Sequence, residues 1–255
     1  MLLRTTALAL ALAGTVSAHA TMFGVFVNGK DQGDGRNKYI RSPATNDPLR
    51  DLKDPNIVCN TNGGKPAPEF VKASAGDKLS FRWFHFNPDD PNDILDPSHK
   101  GAILTYIAPY TEGNGAGPIW SKLAEQGFEN GKWATIKMIA NGGKVDFSLP
   151  AQLAPGKYLV RQELVALHQA DFRGDTNPGR GAELYPSCVQ VEVTGGNGEA
   201  LPDQDFDFNR GYTYDNPGLF FNIYIPFDKY TPPGPKVWDP AGTVKPDKSP
   251  SGNRP

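Results

Sequence analysis

The chain has 255 residues, a formal net charge of −2, and 38% hydrophobic, 21% charged and 11% aromatic residues. That length buries a real core, as one large domain or two small ones; 28 glycines and 24 prolines make it turn-rich, while its aromatics set it apart from a disordered chain. Near-neutral charge without a basic run argues against nucleic acid and acidic membranes as main partners.

Residues 1–18 read as a secretory signal. Arg4 precedes an apolar run that ends in small residues, with Val16 and Ala18 at the positions a signal peptidase reads. The run is too short for a membrane anchor, and no second long apolar stretch follows. A secreted, extracellular protein starting at His19 is expected. Cys59 and Cys188 are its only cysteines; an oxidising exterior favours pairing them, two inert buried thiols being the alternative.

Runs rich in β-branched and aromatic residues predict strands over 22–28, 78–86, 101–108, 144–149, 157–168, 188–193 and 219–225. Within 78–86, Leu79, Phe81, Trp83 and His85 fall on one face, with Ser80 and Arg82 opposite. Clusters of Gly, Pro, Asn and Asp separate the runs, as at 87–98 and 174–181. One helix is predicted over 118–126, stopped by Gly127. Many strands without regular βα alternation give an all-β fold, an immunoglobulin-like antiparallel β-sandwich with long loops and one or more short helices. It should span 19–238 as one domain, with 239–255 a Pro-rich flexible tail.

The histidines number four: His19, His85, His99 and His168. A free N-terminal amine titrates near neutrality, at about 7.7–8.0, so a metal displaces its proton readily. With the amine and imidazole of His19 and one further nitrogen, a near-planar set forms that suits Cu(II), whereas zinc prefers a tetrahedron. His99 sits on a loop just before a strand, facing either a site or plain solvent. His168 ends the long run from 157, as a site residue or a satisfied buried histidine. Glu183 and Tyr185 are two apart and share a face if extended; a core tyrosine beside an ion-paired carboxylate is the alternative.

The start His19-Ala-Thr-Met-Phe-Gly-Val, then Ser98-His99-Lys100-Gly101, Glu163-Leu-Val-Ala-Leu-His168 and Gly181-Ala-Glu-Leu-Tyr185-Pro-Ser-Cys188 follow in order. Together they resemble the secreted fungal lytic polysaccharide monooxygenases of auxiliary activity family nine, once classed as glycoside hydrolases. The resemblance runs from His19 to about Trp238. It implies a β-sandwich carrying one copper held by a histidine brace of His19 and His99, with Tyr185 axial, His168 beside the open coordination position, and a Cys59–Cys188 disulfide. The family usually has glutamine where this chain has Glu183. A carboxylate accepts hydrogen bonds but donates none unless protonated, and its charge favours Cu(II) over Cu(I). Glu183 is thus expected to tune the site.

The implied reaction is oxidative cleavage of a β-1,4-glucan, cellulose by default and cello-oligosaccharides or hemicelluloses as further candidates. It uses O2 or H2O2 and an external electron donor, either a small reductant or a secreted redox enzyme. Asn46, His85, Arg180 and Tyr230 resemble substrate contacts of oligosaccharide-active members, while Phe86 and Gln169 stand where such members often carry polar or acidic contacts. Asp96, bulkier than the alanine that accompanies C4 attack, leans the chain toward C1. A monomer is expected. Rival readings are a non-catalytic histidine-brace copper protein, a carbohydrate-binding sandwich with structural histidines, and a hydrolase; Tyr185 and His168 favour catalysis over copper storage.

Overall fold

The computed structural model describes residues 19–241. The predicted signal segment 1–18 and most of the predicted tail lie outside the described residues.

The strands, in chain order, are β1 (Thr21–Val27), β2 (Lys30–Asp34), β3 (Ile40–Arg41), β4 (Val71–Ser74), β5 (Lys78–Phe84), β6 (Gly101–Pro109), β7 (Ser121–Gln126), β8 (Phe128–Glu129), β9 (Lys132–Trp133), β10 (Lys144–Ser148), β11 (Gly156–Ala166) and β12 (Glu183–Gly195). Two short helices, α1 (Ala134–Ala140) and α2 (Phe208–Gly211), accompany them. One large sheet runs β10-β5-β1-β2 and the other β3-β12-β11-β6-β7 with β4 beside β12, while β8 and β9 form a separate two-stranded sheet. All pairings are antiparallel except β4 with β12. The result is the β-sandwich that the sequence predicts.

Period-two alternation sets the first sheet's inner face. Leu79, Phe81 and Trp83 of β5, with Met22 and Val25 of β1 brought to the same face by a β-bulge between Met22 and Gly24, are buried against Ile103, Ile107, Val160, Leu164, Val189 and Val191 of the second sheet. The second sheet is covered on both sides. Its outer face buries Leu104, Tyr106, Leu159, Val165, Leu184 and Cys188 with Trp120, Phe208 and Tyr212 from the loops. Double burial leaves β11 covered from Tyr158 to Ala166, with the polar Arg161, Gln162 and Glu163 among the buried residues. The Cys59–Cys188 disulfide, with Cα atoms 5.3 Å apart, ties the loop around 59 to β12 across 129 residues of sequence. Closing so long a loop removes about 5 kcal/mol of entropy from the unfolded chain on the chain-entropy picture.

Two predicted elements are corrected. The helix expected over 118–126 is in its second half the strand β7, where Ile103 pairs with Gln126 and Ile107 with Ser121. A turn or two of helix has little stability of its own, so the open edge of β6 captures the segment. Lys122, fully buried, bonds the Glu125 carboxylate at 2.7 Å and the Pro233 carbonyl at 2.8 Å. The seven-residue helix lies later, at α1, where Ala134 and Met138 are buried one turn apart and no side chain caps its start. The run 219–225 forms no strand: Leu219 and Phe220 close turns on Asn216, and the Phe221 amide donates to the Ala170 carbonyl. Leu219, Phe221 and Ile223 pack against the outer core of the second sheet instead of joining a ladder, and Phe220, Tyr224 and Ile225 are exposed. Among the described residues, no helix is long and apolar enough to cross a membrane.

Candidate metal centre

Strand register builds the site. Gly101 of β6, Ala166 of β11 and Glu183 of β12 lie abreast. His99 precedes that row by two residues and His168 follows it by two, so three distant segments deliver their side chains to one sheet edge. The strands approach closely there: a Cβ on Gly101 would lie 1.7 Å from the Val165 carbonyl oxygen. Asp96 shapes the turn that presents His99, its carboxylate accepting from the Ser98 amide at 2.8 Å and its carbonyl from the His99 amide at 3.0 Å. The Ser98 hydrogen bonds hold its carboxyl below the usual range.

Glu183 is the hub. Its Oε2 accepts from the Tyr185 hydroxyl at 2.6 Å and lies 3.3 Å from His99 Nε2. Its Oε1 lies 3.6 Å from His168 Nε2 and accepts from Arg50 Nη2. The two histidine rings are 4.2 Å apart, tilted by 38°. Burial pushes the Glu183 carboxyl up, but the His99 and Tyr185 hydrogen bonds and the His168 and Arg50 charges outweigh it and bring it down to about 2. Burial and the adjoining carboxylate push the Tyr185 hydroxyl far above its ordinary value. Burial lowers the His168 imidazole despite the opposing pull of Glu183. A buried anion is thus held among neutral or cationic donors.

The metal-ligating atoms of His99, His168 and Glu183 all lie within 4.8 Å of one another. His168 Nδ1 is buried with no hydrogen-bond partner among the described residues. Two imidazoles, a carboxylate and a phenol suit a borderline divalent metal such as copper. The His19 and His99 rings each lie 6.2 Å from the Tyr185 ring. His19 Nδ1 lies 3.3 Å from Asp47 Oδ1. In the full chain the His19 nitrogen forms the peptide bond to Ala18, so it offers no amine.

The other predicted residues are scattered around this edge. The Asn46 amide donates to the His85 carbonyl at 3.3 Å. His85 is buried, 2.7 Å from Asp93 Oδ1, beneath the exposed Phe86 ring. Asn46, His85 and Phe86 line a surface cavity of about 440 Å³ with Arg36, Ser42 and Thr45. Arg180 pairs with Asp171 and lies over the Phe172 ring. Tyr230 departs from the substrate-binding expectation. Its ring is 6% exposed, packs edge-on to Trp133 and Phe221, and its hydroxyl donates to the Gly218 carbonyl. A ring enclosed in that way has no face to offer a sugar.

Two neighbours of the site escaped the sequence reading. Tyr224 is 67% exposed, and its hydroxyl donates to the His168 carbonyl at 2.9 Å. Arg50 reaches Glu183 because Leu49 and Leu184 exchange both backbone hydrogen bonds at 2.9 Å. No motif flags either; a buried carboxylate's need for a cation is the one signal that points to a residue like Arg50.

The sequence pattern of Auxiliary Activity family 9 (formerly GH61) matches residues 19–230. The chain belongs to Auxiliary Activity family 9. It is 54% identical over 239 residues to AA9 family lytic polysaccharide monooxygenase A of Collariella virescens, across 92% of this chain and 86% of that protein. It is 42% identical over 240 residues to the protein of the same name from Schizophyllum commune (strain H4-8 / FGSC 9210), across 90% and 94%. Its fold is similar to the solved structure of CvAA9A, with a TM-score of 0.85 and 54% identity over 87% of this chain and 99% of that one. It is also similar to Cel61B from Hypocrea jecorina, a glycoside hydrolase family 61 member, with a TM-score of 0.72 and 25% identity over 86% and 100%. This AA9 protein is a copper-dependent oxidoreductase, a lytic polysaccharide monooxygenase on the AA9 β-sandwich.

Proposed function

We propose that this AA9 monooxygenase is secreted, loses residues 1–18, and oxidatively cleaves β-1,4-glucans, cellulose first, with attack at C1. One copper per chain would be held by the amine and imidazole of His19 and by His99, with Tyr185 as a further ligand. The gathering of the His19 and His99 rings at 6.2 Å from Tyr185, with His168 and Glu183 clustered against His99, is the observation that carries it.

Copper, when bound, supplies the one-electron chemistry that removes a hydrogen atom from a sugar carbon, using O2 or H2O2 and an external electron donor. The protein's own groups do the rest. Glu183 fixes Tyr185 by accepting the hydrogen bond from its hydroxyl, whose oxygen keeps lone pairs that could serve a metal. His168 presents Nε2 beside the same carboxylate and can donate or accept a proton at the reacting side. Tyr224, Phe86 and Phe220 are exposed, at 67%, 66% and 43%, and offer rings to pyranose faces. Asp96 supports the lean to C1 by its bulk beside His99.

The test is mass spectrometry of soluble products after the chain begun at His19, loaded with one equivalent of copper, meets amorphous cellulose, ascorbate and low peroxide. Aldonic-acid cello-oligosaccharides, absent with His99→Ala, are expected. Ketone products would reassign the attack to C4. Oxidised products from xyloglucan but none from cellulose would overturn the substrate.

A further inference from the structure

The Arg50–Glu183 pair adds a side-chain link between two segments already bridged through their backbones. Leu49 bridges Leu184, which brings Arg50 alongside Glu183. Arg50 Nη2 takes the Oε1 side of the carboxylate, and the Glu183 side chain is 3% exposed. Arg50 Nε is buried with no hydrogen-bond partner among the described residues. Among the described residues, the head group hydrogen-bonds Glu183 alone. The other oxygen, Oε2, already takes the Tyr185 hydroxyl, and it lies as close as 3.3 Å to His99 Nε2.

That geometry poses a competition. A carboxylate between two imidazoles is itself a good metal ligand, and among the described residues Glu183 completes the group His99, His168 and Glu183. Something must hold it back if the metal is to sit with His19 and His99 instead. A guanidinium bound to one oxygen restrains the rotation of the carboxylate and adds a fixed positive charge on its far side.

We propose that Arg50 is a positioning residue of the metal centre: through Glu183 Oε1 it keeps the carboxylate outside the metal's ligand set and turned toward Tyr185. The inference rests on the metal site proposed above. With Arg50 removed, the carboxylate is released as an additional anionic ligand. A dication then meets one more negative ligand and one fewer nearby cation, so it binds more tightly.

The test uses the chain begun at His19 with one equivalent of Cu(II), read by electron paramagnetic resonance and by a competition titration. Arg50→Met should shift the copper hyperfine splitting and tighten Cu(II) binding by about tenfold, the usual scale for groups that orient metal ligands. Arg50→Lys should restore most of the native spectrum, because an ammonium can still bind Oε1. In a Glu183→Gln background, Arg50→Met should leave the spectrum unchanged. Melting temperatures of the copper-free variants separate a purely structural role, which lowers stability without moving the spectrum. An unmoved Arg50→Met spectrum with intact nitrogen couplings would overturn the proposal alone, as would an equal shift in the Glu183→Gln background. If the nitrogen couplings of the unmutated chain survive His99→Ala, the metal site fails, and this proposal fails with it.

Discussion

The Tyr224 hydroxyl donates to the backbone carbonyl of His168 at 2.9 Å, and two-thirds of the tyrosine stays open to solvent. The bond fixes an aromatic face beside the cluster of His99, His168 and Glu183. If that face carries a sugar, Tyr224→Ala should weaken cello-oligosaccharide binding roughly fivefold, the scale of about 1 kcal/mol for a ring contact. Tyr224→Phe keeps the ring and should bind almost normally. Calorimetric titration of copper-loaded protein with cellohexaose checks both.

Tyr230 should behave oppositely. Its ring is enclosed by Trp133, Phe221 and their neighbours. Tyr230→Ala should lower stability by about 3–5 kcal/mol, as for other large buried aromatics. Tyr230→Phe, which loses the bond to the Gly218 carbonyl, should lower it by about 1 kcal/mol. Urea unfolding of the copper-free protein reads both, and sugar affinity of the folded Phe variant should be unchanged.

Much of the sandwich is legible in the sequence because its strands are patterned by burial. Leu79, Phe81 and Trp83 alternate onto one face, and β11 carries apolar stretches on either side of Arg161, Gln162 and Glu163 because both its faces are covered. The clustering of His99, His168 and Glu183 comes from register across β6, β11 and β12, and the sequence motifs name its members without giving that register. Segment 118–126 misleads because β6 supplies a ladder partner that local propensity cannot see. Tyr224 and Tyr230 lie six residues apart in one loop-rich stretch, one open and one enclosed, and nothing local distinguishes them. Arg50 depends on the long-range bridge between Leu49 and Leu184.

Glu183 should make the copper-free fold sensitive to acid. Its carboxyl sits at about 2 in the folded chain against an ordinary 4.5. A depressed folded value means that stability is present above about pH 4.5 and is lost as the pH falls toward 2. Glu183→Gln lacks this dependence. The stability of the unmutated chain relative to Glu183→Gln should therefore fall by roughly 3 kcal/mol between pH 5 and pH 2, read by urea titrations at each pH.

The buried pair Arg161 and Glu163 should be structural. Arg161 Nη1 lies 2.8 Å from Glu163 Oε1, its other nitrogens bond the carbonyls of Ile57 and Val58, and the Tyr212 hydroxyl donates to Glu163. Glu163→Gln strands a buried cation and should cost about 3–5 kcal/mol. Thermal unfolding measures that loss, while the copper spectrum of any folded fraction should match the native one.

Copper affinity and stoichiometry measured for three chains test the metal assignment most directly: one begun at His19, one retaining residues 1–18, and His99→Ala begun at His19. The amine of His19 exists only in processed chains, so the first should bind one copper at least about 100-fold more tightly than the second. His99→Ala should lose a similar factor. Equal affinity with residues 1–18 retained would contradict a centre built on the N-terminal amine and would place the metal on His99, His168 and Glu183.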